Sequence, residues 1–190
     1  MQVYVVKPGG QVAVETIFMF SHQAATAYNQ FVSITTSTND TISATAGHYL
    51  PVSKTSFSTF SDAKPVRAAD VGIGDTLWRL TGTIMQPVRV KSVTHLGMTG
   101  LYNPHTPSGT IVVDNLAAFT FTDSILPSLT AHRLATFVPY AMYIVSEALG
   151  LQAFTSPFNS LLLHLYHDNA LSALSGFCSG VPFVAALSAA

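Results

Sequence analysis

Glycine-, proline- and asparagine-rich turns recur along this chain, and each feeds a run of β-branched and aromatic residues. Val, Ile, Thr, Tyr and Phe fit a pleated, half-buried surface, so each run reads as a strand. Residues 3–6 form the first and stop at Lys7-Pro8-Gly9-Gly10. A second is expected over residues 12–20, ending at Ser21-His22-Gln23. Residues 31–36 and 41–52 read as a hairpin around Thr38-Asn39-Asp40, a turn-forming trio. Later, Val71-Gly72-Ile73-Gly74-Asp75 feeds a strand at 76–80, and residues 88–94 continue as strand before a turn at 97–100. Residues 110–113 then turn through Asp114-Asn115 into 116–121. The expectation is an all-β body in two pseudo-symmetric halves, residues 3–52 giving most of one and 77–121 much of the other.

The texture changes from Ser128, where Leu129, His132, Leu134, Phe137 and Val138 fall at three- and four-residue spacings and Pro139 bends the path. Helices are expected over 144–151 and 158–174. The chain thus divides into a body, residues 1–143, and a hydrophobic, mainly helical appendage, 144–190. Only 9% of residues are charged while 48% are hydrophobic, against about 25% charged in an average soluble protein. Much of the chain must therefore be buried, in protein or, for the appendage, by weak contact with a membrane. A net charge of -1 gives no field to attract phosphates, so nucleic acid is not an expected partner. The single cysteine, Cys178, cannot form an internal disulfide. Residues 1–8 lack the layout of a signal peptide and read as strand, which leaves localisation open.

The stretch with the most chemistry is Ile42-Ser43-Ala44-Thr45-Ala46-Gly47-His48-Tyr49-Leu50-Pro51-Val52. Thr45 and His48 stand three apart in an apolar frame, so a hydroxyl and an imidazole can lean toward one point. The plain alternative is a core histidine satisfied by its neighbours. Elsewhere the readings are structural. His22 is expected at a solvent-facing strand end, and Asp75 as a turn acid bonding nearby backbone amides. The loop at 53–62 is expected to be pinned by Phe57 and Phe60. His164 and His167 approach metal-ligand spacing, but two ligands do not make a zinc site. No Gly-x-Ser-x-Gly elbow follows a strand. No metal or cofactor is expected.

Three motifs in order resemble the Hint domains of hedgehog-type autoprocessing proteins and inteins. They are the Thr45-x-x-His48 box, the run Ala68-Ala69-Asp70-Val71-Gly72-Ile73-Gly74-Asp75, and the loop and strand from Gly100-Leu101-Tyr102-Asn103-Pro104-His105-Thr106 to Asp114. Ala131-His132-Arg133 with Phe137-Val138-Pro139 looks like the end of such a domain, so the resemblance covers about residues 12–143. It implies self-processing within a longer precursor. A cysteine ahead of the first strand attacks the preceding carbonyl, the peptide becomes a thioester, and water, a thiol or a sterol hydroxyl takes the acyl group. In that chemistry His48 protonates the departing nitrogen and Thr45 orients the amide or the oxyanion. The partners implied are the chain's own upstream segment and a small nucleophile.

Two departures stand out. No cysteine precedes the Thr-His box, so the chain reads as an N-terminally incomplete piece of a precursor, inactive by itself. The alternative is an inactive Hint-like module kept for binding or linking. Where the family carries an acid, this chain has Phe20-Ser21-His22, which argues against cholesterol as acceptor. Ala117-Ala118-Phe119 stands where the family has a second cysteine. An upstream part bearing a targeting signal would make the whole secreted or membrane-associated.

Overall fold

A computed structural model of the chain describes residues 1–54 and 59–123, together with Ile144 and Ala148. The helical pattern after Ser128, the expected boundary at 143, the appendage, Phe57, His164, His167 and Cys178 lie outside the described residues. Two compact units, Met1–Ser124 and Ile125–Ala190, divide the chain, and the first holds the β structure.

The described residues of that unit form ten strands. β1 (Gln2–Val6) and β2 (Val12–Thr16) form a hairpin through the Pro8–Gly10 turn. There Gly9 and Gly10 take φ of 84° and 83°, values that a side chain disfavours. β3 (Met19–Thr36) and β4 (Thr41–Ala44) are joined by the Thr38-Asn39-Asp40 turn, with Asn39 at φ 65°. β5 (Tyr49–Val52) pairs with β6 (Lys64–Arg67) as a separate two-stranded sheet. β7 (Thr76–Thr81), β8 (Ile84–His105), β9 (Thr110–Val113) and β10 (Leu116–Phe119) complete a six-stranded sheet in the order β4-β3-β8-β7-β10-β9. The long strands β3 and β8 run antiparallel at its centre, each flanked by its own short partner. This is the all-β, two-halved body expected from the sequence.

Several strand boundaries differ from those expectations, and β3 and β8 run well beyond the 31–36 and 88–94 read from the sequence. Residues 12–20 are not one strand, because the chain breaks at Ile17-Phe18 and β3 begins at Met19. Ser21, His22 and Gln23 consequently lie inside β3. Residues 97–100 do not turn but continue β8. A Cβ at Gly97 would fall 1.7 Å from the Tyr28 hydroxyl, so the cross-strand tyrosine lies over the glycine and would have to swing away from any side chain there. Residues 41–52 split into β4 and β5, which belong to different sheets. The Thr45–His48 box is the crossover between them.

Val32, Ile34, Ile42, Leu50, Val52, Leu77, Val90 and Leu116 are buried in one core shared by the two halves. A satellite holds Trp78 and Ala117, against which Phe60 packs edge-on with ring centroids 5.5 Å apart. Phe60 thus pins its loop as expected. Ser53 and Thr76 exchange both backbone hydrogen bonds, at 3.0 and 2.9 Å, and tie β5 to β7. Asp75 accepts from the Gly72 N–H at 2.8 Å and from Lys54 Nζ at 2.6 Å, which makes it the turn acid foreseen. The β9–β10 turn is the two-residue pair Asp114-Asn115 at φ 49° and 66°, the twist that joins tight hairpin strands. Thr110 Oγ1 receives the Val6 N–H at 2.9 Å and donates to the Val6 carbonyl at 2.8 Å, so β1 is anchored where a bare edge would otherwise lie.

Candidate active site

The box between β4 and β5 is a tight turn in which the His48 N–H donates to the Thr45 carbonyl at 3.0 Å. The carbonyls of its other three residues are taken by two other segments. Ala69 N–H reaches the Ala46 carbonyl at 3.0 Å, Ala68 N–H reaches that of His48 at 2.7 Å, and Asp123 N–H reaches that of Gly47 at 2.9 Å. At Gly47 an added Cβ would sit 1.9 Å from Asp123 Oδ1, so a larger third residue in the box would require the Asp123 side chain to turn away. These bonds fix the imidazole's origin with little help from its side chain.

The half-buried ring has one partner among the described residues. His48 Nε2 lies 2.8 Å from the carbonyl oxygen of Phe119. A carbonyl only accepts, so Nε2 carries the hydrogen and Nδ1 is left as the nitrogen that can exchange a proton. Burial lowers the pKa of His48 below that of a free imidazole, and the bond to Phe119 opposes this only in part. Phe119 stacks on Phe121 with centroids 4.8 Å apart, and Tyr49 meets Phe121 at 5.8 Å. A wall of rings therefore adjoins the imidazole's anchor. The result is a fixed, neutral imidazole that binds a proton weakly and gives it up readily.

Thr45 is half-buried, and its hydroxyl makes no hydrogen bond among the described residues. The box brings the Thr45 carbonyl to His48, while the Thr45 hydroxyl and the imidazole are not bonded to each other.

A second cluster was not foreseen in the sequence. The β3–β8 register jumps between Phe20↔Pro104 and His22↔Asn103, leaving Ser21 as the residue of a bulge. A bulge re-aims a side chain, and Ser21 is buried here. Its Oγ accepts from Asn103 Nδ2 at 2.8 Å and lies 2.9 Å from His105 Nε2. His105 is 2% exposed. Burial first, and then repulsion by the imidazoles of His48 and His22, hold its pKa down to about 4. The same repulsion places His105 within electrostatic reach of His48. Asn103 and His105 stand two apart and face inward together; two polar side chains at the same strand parity were the available signal. His22 is exposed as expected, though within β3 and not at its end.

Two sheets joined by a turn that presents an anchored imidazole define an all-β domain of the kind found in self-processing proteins. Residues 2–167 match the family of the Hint module, and the chain belongs to it. Warthog protein 4 of Caenorhabditis elegans is 30% identical over 119 residues, which is 59% of this chain and 21% of that protein. This chain therefore spans about a fifth of that relative's length. Among solved structures, an intein from a hyperthermophile shares the fold with a TM-score of 0.53 and 16% identity, covering 62% of this chain and 70% of its own. The KlbA intein precursor from Methanococcus jannaschii gives 0.55 and 15%, over 66% and 67%.

Proposed function

We propose that this chain supplies the acid–base machinery for self-processing of a longer precursor. A cysteine upstream of Met1 attacks the carbonyl of the residue before it. Its thiol proton passes to His48 Nδ1 and on to the departing amide nitrogen. The S–C bond forms, the C–N bond breaks, and a thioester remains. Water, a thiol or a hydroxyl compound such as a sterol then takes the acyl group. Thr45 is assigned the role of orienting the amide.

The observation that carries this reading is the single anchor of His48. With Nε2–H committed to Phe119, Nδ1 is the ring nitrogen left for proton transfer among the described residues, and burial lowers its pKa so that a proton taken up there is passed on readily. A leaving nitrogen must be protonated as it departs, and a positioned imidazole contributes about 10²- to 10⁴-fold to such a step.

The test uses the precursor including the segment before Met1. Incubation with a thiol should split it at the upstream cysteine, and His48→Ala should slow that cleavage by about 10²- to 10⁴-fold, with Thr45→Ala slowing it less. A folded precursor that carries the cysteine yet is not cleaved under strong thiol would refute self-processing and leave an inactive binding or linker module.

A further inference from the structure

We propose that Ser21, Asn103 and His105 hold and activate the water that hydrolyses the thioester, which makes water the second nucleophile of this domain. The inference rests on the self-processing reading above and adds the identity of the acceptor. The Ser21 hydroxyl already receives one hydrogen from Asn103 Nδ2 at 2.8 Å. Its own proton has one partner among the described residues, His105 Nε2 at 2.9 Å. Donation into Nε2 satisfies both groups and leaves the hydroxyl polarised toward a neutral base.

A second observation points to a ligand. Asn103 is 5% exposed, and its Oδ1 is buried with no partner among the described residues. Leaving an amide oxygen unpaired costs about 1–3 kcal/mol. A water donating to Asn103 Oδ1 and to the remaining lone pair of Ser21 Oγ removes that cost, and two polar partners are enough to hold one. Ser21, Asn103 and His105 are each at most 5% exposed, which leaves no room for a bulky alcohol at the hydroxyl.

The cluster is tied to the first site by a short backbone path. His105 ends β8, the next turn is closed by the Gly109 N–H on the Thr106 carbonyl at 3.0 Å, and the Gly109 carbonyl takes the Thr120 N–H at 3.0 Å. Thr120 follows Phe119, the anchor of His48.

In the step itself the water oxygen attacks the thioester carbon. One water proton passes to Ser21 Oγ while the Ser21 proton moves to His105 Nε2. The C–O bond forms, the C–S bond breaks, and the cysteine leaves as thiolate. The imidazolium then returns its proton through Ser21 to the thiolate. Water holds its proton tightly at neutral pH and needs this base. An added thiol, with a pKa of about 8.5, does not.

That difference supplies the test. In the complete precursor, hydrolysis without thiol and cleavage with added dithiothreitol are measured side by side. His105→Gln and Ser21→Ala should each slow hydrolysis by about 10²-fold or more, a far larger factor than either slows thiol cleavage, and Ser21→Thr, which keeps the hydroxyl, should restore hydrolysis. If His105→Gln fails to fold by circular dichroism, Ser21→Ala against Ser21→Thr carries the comparison. Hydrolysis that is unchanged, or that falls only in step with thiol cleavage, overturns the assignment of these residues. Failure of the wild-type precursor to react with thiol overturns self-processing itself, and this inference with it.

Discussion

His105 should make the β domain lose stability in acid well before its carboxylates titrate. The unfolded imidazole titrates near 6.5, whereas the folded one is held to about 4, chiefly because burial disfavours its charge. The unfolded state therefore binds more protons between these values, and stability rises with pH across that window. The contribution is fully present above the unfolded value and is lost as pH falls from 6.5 through 4. Two and a half pH units of difference correspond to about 3 kcal/mol in total, of which about 2 kcal/mol is gone by pH 5. His105 is 2% exposed, so little solvent screening reduces that figure. His48, also lowered by burial, acts with the same sign, and the wild-type slope exceeds that of His105 alone. Asp40, held to about 2 chiefly by its hydrogen bond from Arg79, and Glu15, lowered by its contacts with Lys7 and Ser108, act mainly at lower pH. Urea unfolding at pH 8, 6 and 5 measures the slope, and His105→Gln isolates the residue because glutamine does not titrate. The reasoning is refuted if the variant loses as much stability as wild type between pH 8 and pH 5.

Two further predictions concern the scaffold. Asp75→Ala should destabilise by about 1–1.5 kcal/mol, because the part-buried hydrogen bond from the Gly72 N–H is lost; Lys54→Ala should cost under about 1 kcal/mol, its side chain being 61% exposed. Comparing the two in denaturant unfolding separates the turn's hydrogen bond from the ion pair, and equal costs would contradict this account. Leu116→Ala, at a fully buried position in the shared core, should cost about 2–5 kcal/mol, and a loss under about 1 kcal/mol by the same measurement would show that the two halves do not depend on one core.

Much of the local structure was legible because it is governed by local chemistry. Asp114-Asn115 specifies its hairpin through the positive φ that these residues tolerate, and Asp75 reaches an amide three residues away. Both interactions lie within one turn of chain, where residue type and spacing suffice. His48 was legible for a related reason: a short polar box inside an apolar frame stands out by contrast.

Pairing between distant strands was not legible. Glycines at 97 and 100 signal a turn when read alone, yet β3 supplies a partner to β8 from Val90 to His105 and Tyr28 fills the space above Gly97. Backbone hydrogen bonds from a strand some seventy residues away outweigh the local preference. The same register places Ser21 in a bulge beside Asn103 and His105, a meeting across more than eighty positions that no spacing rule encodes. Residue type alone thus determined where a proton-carrying imidazole could stand. Only the tertiary structure decided that Nε2 is anchored on Phe119, that a second imidazole lies near it, and that both are kept uncharged, because desolvation and hydrogen-bond commitment depend on what the fold packs around each ring.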